Sequence, residues 1–326
     1  MTNQPSPTEF SFDLYPGLDS ELDDAYRRNV ENGTAQPGEI ATSGLAAAVQ
    51  QNLQPPAPDI SSPNIDPTLP EEVRDAIGAW DRYGTEIGRK SVPKRIDYLV
   101  GARKDLGAQL TPEDRPIAES MKLVLIPWLA FKNNLNDIPD FIQKLRTIQG
   151  IATSADYINP TITKAITDGQ ELYRNPVPQT TRNRFGRPKP EKPWISAEEY
   201  LDKRIAMDGA WGAMMVQASN EAGLKDLLGK SPDNLTGNGE TRFGLSGHEV
   251  DGLGIFEWLA LTLAEDPSQL SRRDWSWMLA NRVIDEGSPC VPRGYFSDGQ
   301  VRSYLYGADS DDSDIRPRLA VIGKGL

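Results

Sequence analysis

A single histidine, His248, and a single cysteine, Cys290, limit what this chain can catalyse. Zinc sites that need several imidazoles or thiolates are closed to it. A Ser-His-Asp triad or a Cys-His pair would have to run through His248 alone. That residue lies in Leu245-Ser246-Gly247-His248-Glu249, a glycine-rich stretch that reads as a loop. Cys290, between Pro289 and Val291, reads as a buried structural thiol. Glu249, Asp251 and Glu257 are the material for a two-carboxylate hydrolase. Acids are too common for their presence alone to support that chemistry, so no catalytic residue is assigned.

Phosphate cradles are also missing. Gly237-Asn238-Gly239 is not followed by Gly-Lys-Ser/Thr, and Gly252-Leu253-Gly254 lacks the third glycine of a dinucleotide fingerprint. The run Asp309-Ser310-Asp311-Asp312-Ser313-Asp314 is different, because alternate carboxylates can converge on Ca²⁺. Asp309, Asp311, Asp312 and Asp314 are the candidate ligands, and Ca²⁺ is the one cofactor the sequence suggests. The run lacks the sixth-position glycine and the closing Glu of an EF-hand, and a solvated charge run explains it equally well.

Aromatic residues concentrate in the last third of the chain. On loops or edges they would form a ligand face, with Trp258, Arg293, Tyr295, Phe296 and Tyr304 as candidates; in the core they would only pack. The one basic run, Arg182, Arg184, Arg187, Lys189 and Lys192, is interleaved with Pro178, Pro188, Pro190 and Pro193. It reads as a solvated linker or as a contact for an acidic partner, with Arg182, Arg184, Arg187 and Lys189 as its candidate contacts.

The elements that must carry these residues can be read coarsely. Residues 1–66 hold ten acids and two bases, about two thirds of the net charge of −12. Their prolines and low apolar content make residues 1–67 an extended arm that cannot order itself without a partner. Residues 68–175 read as a helical bundle. Val73, Ile77, Trp80 and Ile87 share one face, and a helix is expected over 93–107. Thr111-Pro112 should start a helix that runs through Ile117, Met121, Leu125 and Trp128 with a kink at Pro127. Ile138, Phe141, Ile142, Leu145 and Ile148 form a further stripe, and Asn159-Pro160 opens a last helix. Residues 176–193 form the basic linker. Residues 194–326 read as a smaller mixed α/β domain. It opens on the capping box Ser196-Ala197-Glu198-Glu199, with helices expected over 210–228 and 275–283. Length favours a helix over 255–264, and strands are expected over 301–306 and 318–322. The fold class is α+β and mostly helical.

The C-terminal third also resembles a known pattern. Gly254-Ile255-Phe256-Glu257-Trp258, then Arg293-Gly294-Tyr295-Phe296, Val301-Arg302-Ser303 and Asp314-Ile315-Arg316-Pro317-Arg318-Leu319-Ala320-Val321 follow one another as the motifs of formylglycine-generating-enzyme-type domains do. The asparagine of the first motif is missing, a single glycine follows Arg293, and Arg-Pro-Arg replaces Gly-Phe-Arg. The resemblance implies a C-type-lectin-like fold over residues 193–322. It implies binding rather than catalysis, because the oxidases of that family use a cysteine pair and its iron enzymes several histidines. The binding branch includes variable ligand-binding proteins and phage receptor-binding proteins.

The acidic balance argues against a nucleic-acid partner. No apolar run is long enough to span a bilayer, and the N-terminus has no signal-peptide pattern. The sequence therefore points to a non-enzymatic structural or interaction protein of a large assembly, a phage or virus particle, located in the virion or the cytoplasm. Its expected partners are other copies of itself and other assembly proteins, met through the arm and the linker. A ligand- or receptor-binding protein with a C-type-lectin-like domain is the alternative.

Overall fold

Pro70, Glu71 and Glu72 open the first helix, where a missing N–H costs nothing and acids face the positive end of the helix. The computed structural model describes residues 66–150, 158–176, 194–217, 231–236, 250–265, 276–297, 300–310 and 319–322, with the paired segments 181–182, 188–189 and 316–317. These residues belong to one compact unit, 60–326. Along the chain come α1 (Glu71–Gly78), α2 (Ile96–Gln109), α3 (Arg115–Glu119), β1 (Met121–Ile126), α4 (Trp128–Asn133), α5 (Ile138–Ile148) and α6 (Pro160–Thr167). Next are β2 (Tyr173–Arg174), β3 (Thr181–Arg182), β4 (Pro188–Lys189), β5 (Trp194–Ile195), α7 (Ala197–Asp208), β6 (Gly212–Gln217), α8 (Pro232–Thr236), β7 (Val250–Gly252) and α9 (Ile255–Ala264). The rest is strand: β8 (Ser276–Trp277), β9 (Val283–Asp285), β10 (Ser288–Ser297), β11 (Gln300–Gly307), β12 (Arg316–Pro317) and β13 (Leu319–Ile322). The fold is α+β, with mainly antiparallel sheets among helices; only β12 on β8 is parallel among the described pairs.

Several helix ends follow the local chemistry of the sequence. Asn159 Oδ1 accepts from the Thr161 N–H at 2.8 Å and starts α6. Ser196 Oγ accepts from the Glu199 N–H at 3.2 Å and starts α7. Gly150, just beyond α5, has a φ of +70°, the left-handed geometry that lets a chain leave a helix.

Three segments read as helix are strands. Met121–Ile126 is β1, not the continuation of a kinked helix. Its apolar residues fall at helical spacing only because nearly all of them are apolar. A six-residue apolar run ending at Pro127 suits a strand buried on both faces. For the same reason Gly212–Gln217, buried throughout, is β6 rather than part of a helix over 210–228. Ser276–Trp277 and Val283–Asp285 are short strands where one helix was expected. The apolar segment 255–264 is helical, and its residues 255–263 are all buried.

The main sheet has the order β1-β6-β13-β7. Met121 pairs with Gln217 and Ile126 with Gly212, so residues 68–175 and 194–326 contribute to one sheet. One hydrophobic cluster also runs from Val73 to Val321. The first block is thus a set of helices around a shared strand, not a free-standing bundle. Gly212 is held to its residue type by this packing, since a Cβ there would lie 2.0 Å from Trp128 Nε1.

The second sheet has the order β11-β10-β8-β12, with β9 beside β10. Glu286 and Gly287 both have positive φ (47° and 84°), which makes the β9–β10 link a tight hairpin. Ser297 pairs with Gln300, which closes the β10–β11 hairpin.

Candidate binding face

The register of β10 on β11 decides which side chains share a face. Val291 pairs with Tyr306, Arg293 with Tyr304 and Tyr295 with Arg302, while Gly294 pairs with Ser303 and Pro292 with Leu305. Because strand side chains alternate, the first three pairs lie on one face and the other two on the opposite face. Trp277 of β8 pairs with Arg293 and extends the first face to a third strand.

The inner face packs on the core. A Cβ on Gly294 would sit 2.4 Å from Trp258 Cζ2, so glycine is what lets α9 press against the hairpin. Trp258 itself is only 3% exposed. It is a core residue behind the sheet and does not join the face that carries Arg293.

The outer face is built of tyrosine and arginine. The rings of Tyr295 and Tyr304 lie near-parallel, 6.3 Å apart at 18°. Arg302 Nη1 donates to Tyr295 Oη at 3.4 Å. That bond, with the neighbouring tyrosine hydroxyls, holds the Arg302 guanidinium firmly protonated. The Arg293 guanidinium lies 3.5 Å from the centre of the Tyr306 ring, a cation–π contact. Tyr306 meets Trp277 edge-on at 6.4 Å and remains 37% exposed. One end of the face is closed by a small cluster of Leu235, Trp277, Leu279, Val291 and Ala308, with Leu235 supplied by α8. What stays accessible is a strip of Tyr295, Tyr304 and Tyr306 with Arg302 beside it, while Arg293 is buried at 8% exposure under the Tyr306 ring. Tyrosine and arginine are the residue types enriched where protein interfaces concentrate their binding energy.

Of the ligand candidates, Arg293, Tyr295 and Tyr304 come together on this face. Phe296 pairs with Val301 in the backbone, and its side chain lies outside the described residues. Tyr306 and Arg302 complete the strip but were not among the candidates. Only the pairing register reveals them. Asp309 is exposed just after β11, while Asp311, Asp312 and Asp314 lie outside the described residues. Among the described residues no cluster of three or more His, Cys, Asp or Glu could hold a metal. Arg182 and Lys189 sit on the small β3–β4 ladder, where Arg182 pairs with Pro188 and Thr181 with Lys189. Their side chains lie outside the described residues, as do Arg184, Arg187 and His248. Cys290 is half-buried in β10. Burial, then Asp285 and Asp309, push its thiol above the ordinary value, so it stays protonated near neutral pH.

A second polar constellation is wholly internal. Tyr200, Arg204 and Asp208 stand at successive i, i+4 positions on α7. Tyr200 Oη donates to Glu257 Oε1 and accepts from Arg204 Nε at 3.0 Å. Trp128 Nε1 donates to Asp208 Oδ2 at 3.3 Å. Burial pushes the Tyr200 and Tyr173 hydroxyls well above their ordinary value. Burial opposes the Arg204 charge, but Tyr200, Glu257 and Asp208 together keep it protonated. Tyr173 stacks on Tyr200 at 4.3 Å and accepts from the Phe256 N–H at 3.2 Å. Asn281 Oδ1 accepts from the Ile255 N–H at 2.7 Å. Together these groups cap α9, whose N-cap Gly254 has no side chain to do so. Glu257, in the first turn of α9, is fully buried at the positive end of that helix. The network ties α7, α9 and the Tyr173 and Asn281 segments into one core.

No family model, no curated protein and no solved structure matches this chain. Any functional reading rests on the geometry.

Proposed function

We propose that this chain is a non-enzymatic interaction subunit of a larger assembly, of the kind found in a phage or virus particle. It meets other copies and other assembly proteins through its acidic arm, its basic linker and the outer face of the β10–β11 hairpin. The observation that carries the reading is the gathering of Arg293, Tyr295, Arg302, Tyr304 and Tyr306 on one face of the β10–β11 hairpin. The arm supports it from the sequence side, because a segment of that composition needs a partner to order it. Native mass by light scattering tests the reading for three proteins: the full chain, a chain lacking residues 1–67, and a full chain carrying Tyr295→Ala, Tyr304→Ala and Tyr306→Ala. A mass several times that of the protomer, lowered by both changes, is expected. A monomer at every concentration, alone and with candidate assembly proteins, would sink it.

The same face supports a second reading, a ligand- or receptor-binding module with a C-type-lectin-like C-terminal domain. Under that reading the arm deletion leaves ligand binding intact and the tyrosine substitutions abolish it.

A further inference from the structure

α1, β1 and the end of α9 border an open groove of about 670 Å³. Its floor is small and apolar. Ala76, Ala79, Leu123, Val124 and Ala264 line it, and Ala76, Leu123 and Val124 are buried. Ligand sites share this size range and this mix of an apolar floor with a few placed polar groups. The groove uses none of the residues of the β10–β11 face.

Four carboxylates stand around that floor, and two of them are already neutralised. Glu72 takes a two-pronged ion pair from Arg103, at 2.6 and 3.0 Å. Arg103 Nη1 also donates to the Met121 carbonyl at 3.1 Å, which joins α1 and α2 to β1. Glu265 pairs with Lys122 and ties the end of α9 to the same strand. Glu71 and Asp75 are exposed, and neither has a cation among the described residues. They stand four apart on α1, so they lie on one side of the helix, and both line the groove. The positive end of α1 favours Glu71, but Asp75 lies a turn further in, and like charges at this spacing repel. Two unneutralised carboxylates thus rim an apolar floor whose other charges cancel.

We propose that this groove seats a basic segment of a partner protein. Its lysine or arginine heads meet Glu71 and Asp75, and their aliphatic stems, with the apolar side chain between them, cover the floor. Charge complementarity selects this occupant. Long basic side chains lay their methylenes on apolar surface and keep the charge at the rim, which is the arrangement the groove offers. An acidic segment or a nucleic acid would bring more negative charge to the pair. A wholly apolar segment would desolvate both carboxylates with no counter-charge. A metal ion would leave the floor unused, and no three acids among the described residues are placed to hold one. This contact is additional to the arm, the linker and the hairpin face, and it does not depend on them.

The test titrates the full chain with the peptides Lys-Leu-Lys-Leu-Lys, Lys-Ser-Lys-Ser-Lys and Glu-Leu-Glu-Leu-Glu, and with spermidine. Binding is read from the amide NMR shifts of residues 71–79 and 122–124, so that association with acids elsewhere in the chain is not counted. The lysine–leucine peptide should shift these amides saturably. It should bind about fivefold or more tighter than the lysine–serine peptide, because the floor contributes, and the acidic peptide should not bind. Glu71→Gln with Asp75→Asn should weaken binding about tenfold or more. Glu113→Gln with Glu119→Gln, a charge-matched change at exposed positions outside the groove, should leave it within about twofold. Glu71→Lys with Asp75→Lys should turn the preference to the acidic peptide. Urea midpoints verify that each variant is folded. Equal weakening by the control pair would mean general attraction to an acidic chain and would overturn the proposal. Spermidine binding as tightly as the lysine–leucine peptide would make the occupant a small amine and overturn it too. So would the absence of a saturable shift at peptide concentrations on the order of 1 mM. None of these outcomes bears on the arm deletion or the tyrosine substitutions that test the assembly reading.

Discussion

Replacing Arg204 with Met tests whether the buried network is architecture. Arg204 is 5% exposed, and its guanidinium lies 5.2 Å from the centre of the Tyr200 ring and 5.8 Å from that of Trp128. Met fills much of the same volume but removes the charge that faces Glu257 through Tyr200. Removing one partner of a buried charged pair costs about 3–5 kcal/mol. For a folded unit of this size each kcal/mol lowers Tm by about 2–4 °C, so a fall of roughly 6–20 °C is expected. Glu257→Gln should also destabilise, because Tyr200 then donates to a neutral amide and Arg204 keeps a charge with less to balance it. The double variant should be less unstable than the sum of the singles by about 1–3 kcal/mol, since the charges are removed together. Urea midpoints of the four proteins measure this coupling. Additivity within about 0.5 kcal/mol would refute the argument that the two charges hold each other in the core.

Other outcomes follow from single contacts. Gly294→Ala should cost about 1–3 kcal/mol by overpacking against Trp258 and Met278, seen as a lowered urea midpoint; a neutral result would mean the hairpin does not press on α9 as described. Cys290 should alkylate more slowly than a free thiol at neutral pH, with the midpoint of its pH–rate profile above 9.0; a midpoint below that value contradicts its surroundings. Burial raises the Asp208 carboxyl above its ordinary 3.8, against the pull of Arg204 and Arg95. The stability tied to its protonated form is therefore fully present below 3.8 and is lost as pH rises through the folded value. Relative to Asp208→Asn, wild type should lose stability across that window, and urea midpoints at several pH values read the difference. An opposite slope would contradict the assignment.

The parts of this fold that a reader of the chain could find are local ones. Ser196 with Glu199, and Asn159 with Pro160, announce helix starts because capping is settled within four residues. The segment 255–264 is ten residues of nearly unbroken apolar character, and its length alone separates it from a buried strand. Met121–Ile126 and Gly212–Gln217 were misread because periodicity means little when almost every residue is apolar. Each is a strand only because the other lies beside it, some ninety residues away in sequence. The binding face was half legible for the same reason. Arg293, Tyr295 and Tyr304 stand out by type. Their convergence with Arg302 and Tyr306, and the separation of Trp258 from them, depend on one hairpin register. Tyr200, Arg204 and Asp208 could have been found by their spacing, but Glu257 reaches them only through the packing of α9 on α7.

The position of β13 in the main sheet has a consequence for how the protein is made. It lies between β6 and β7, yet it follows both in the chain. While translation proceeds, β6 can pair with β1, but β7 has no partner in that sheet until Leu319–Ile322 has left the ribosome. A nascent chain stalled before that point exposes two strand edges at once. Until β13 is in place, the slot between β6 and β7 at the sheet's centre leaves strand edges open to another strand.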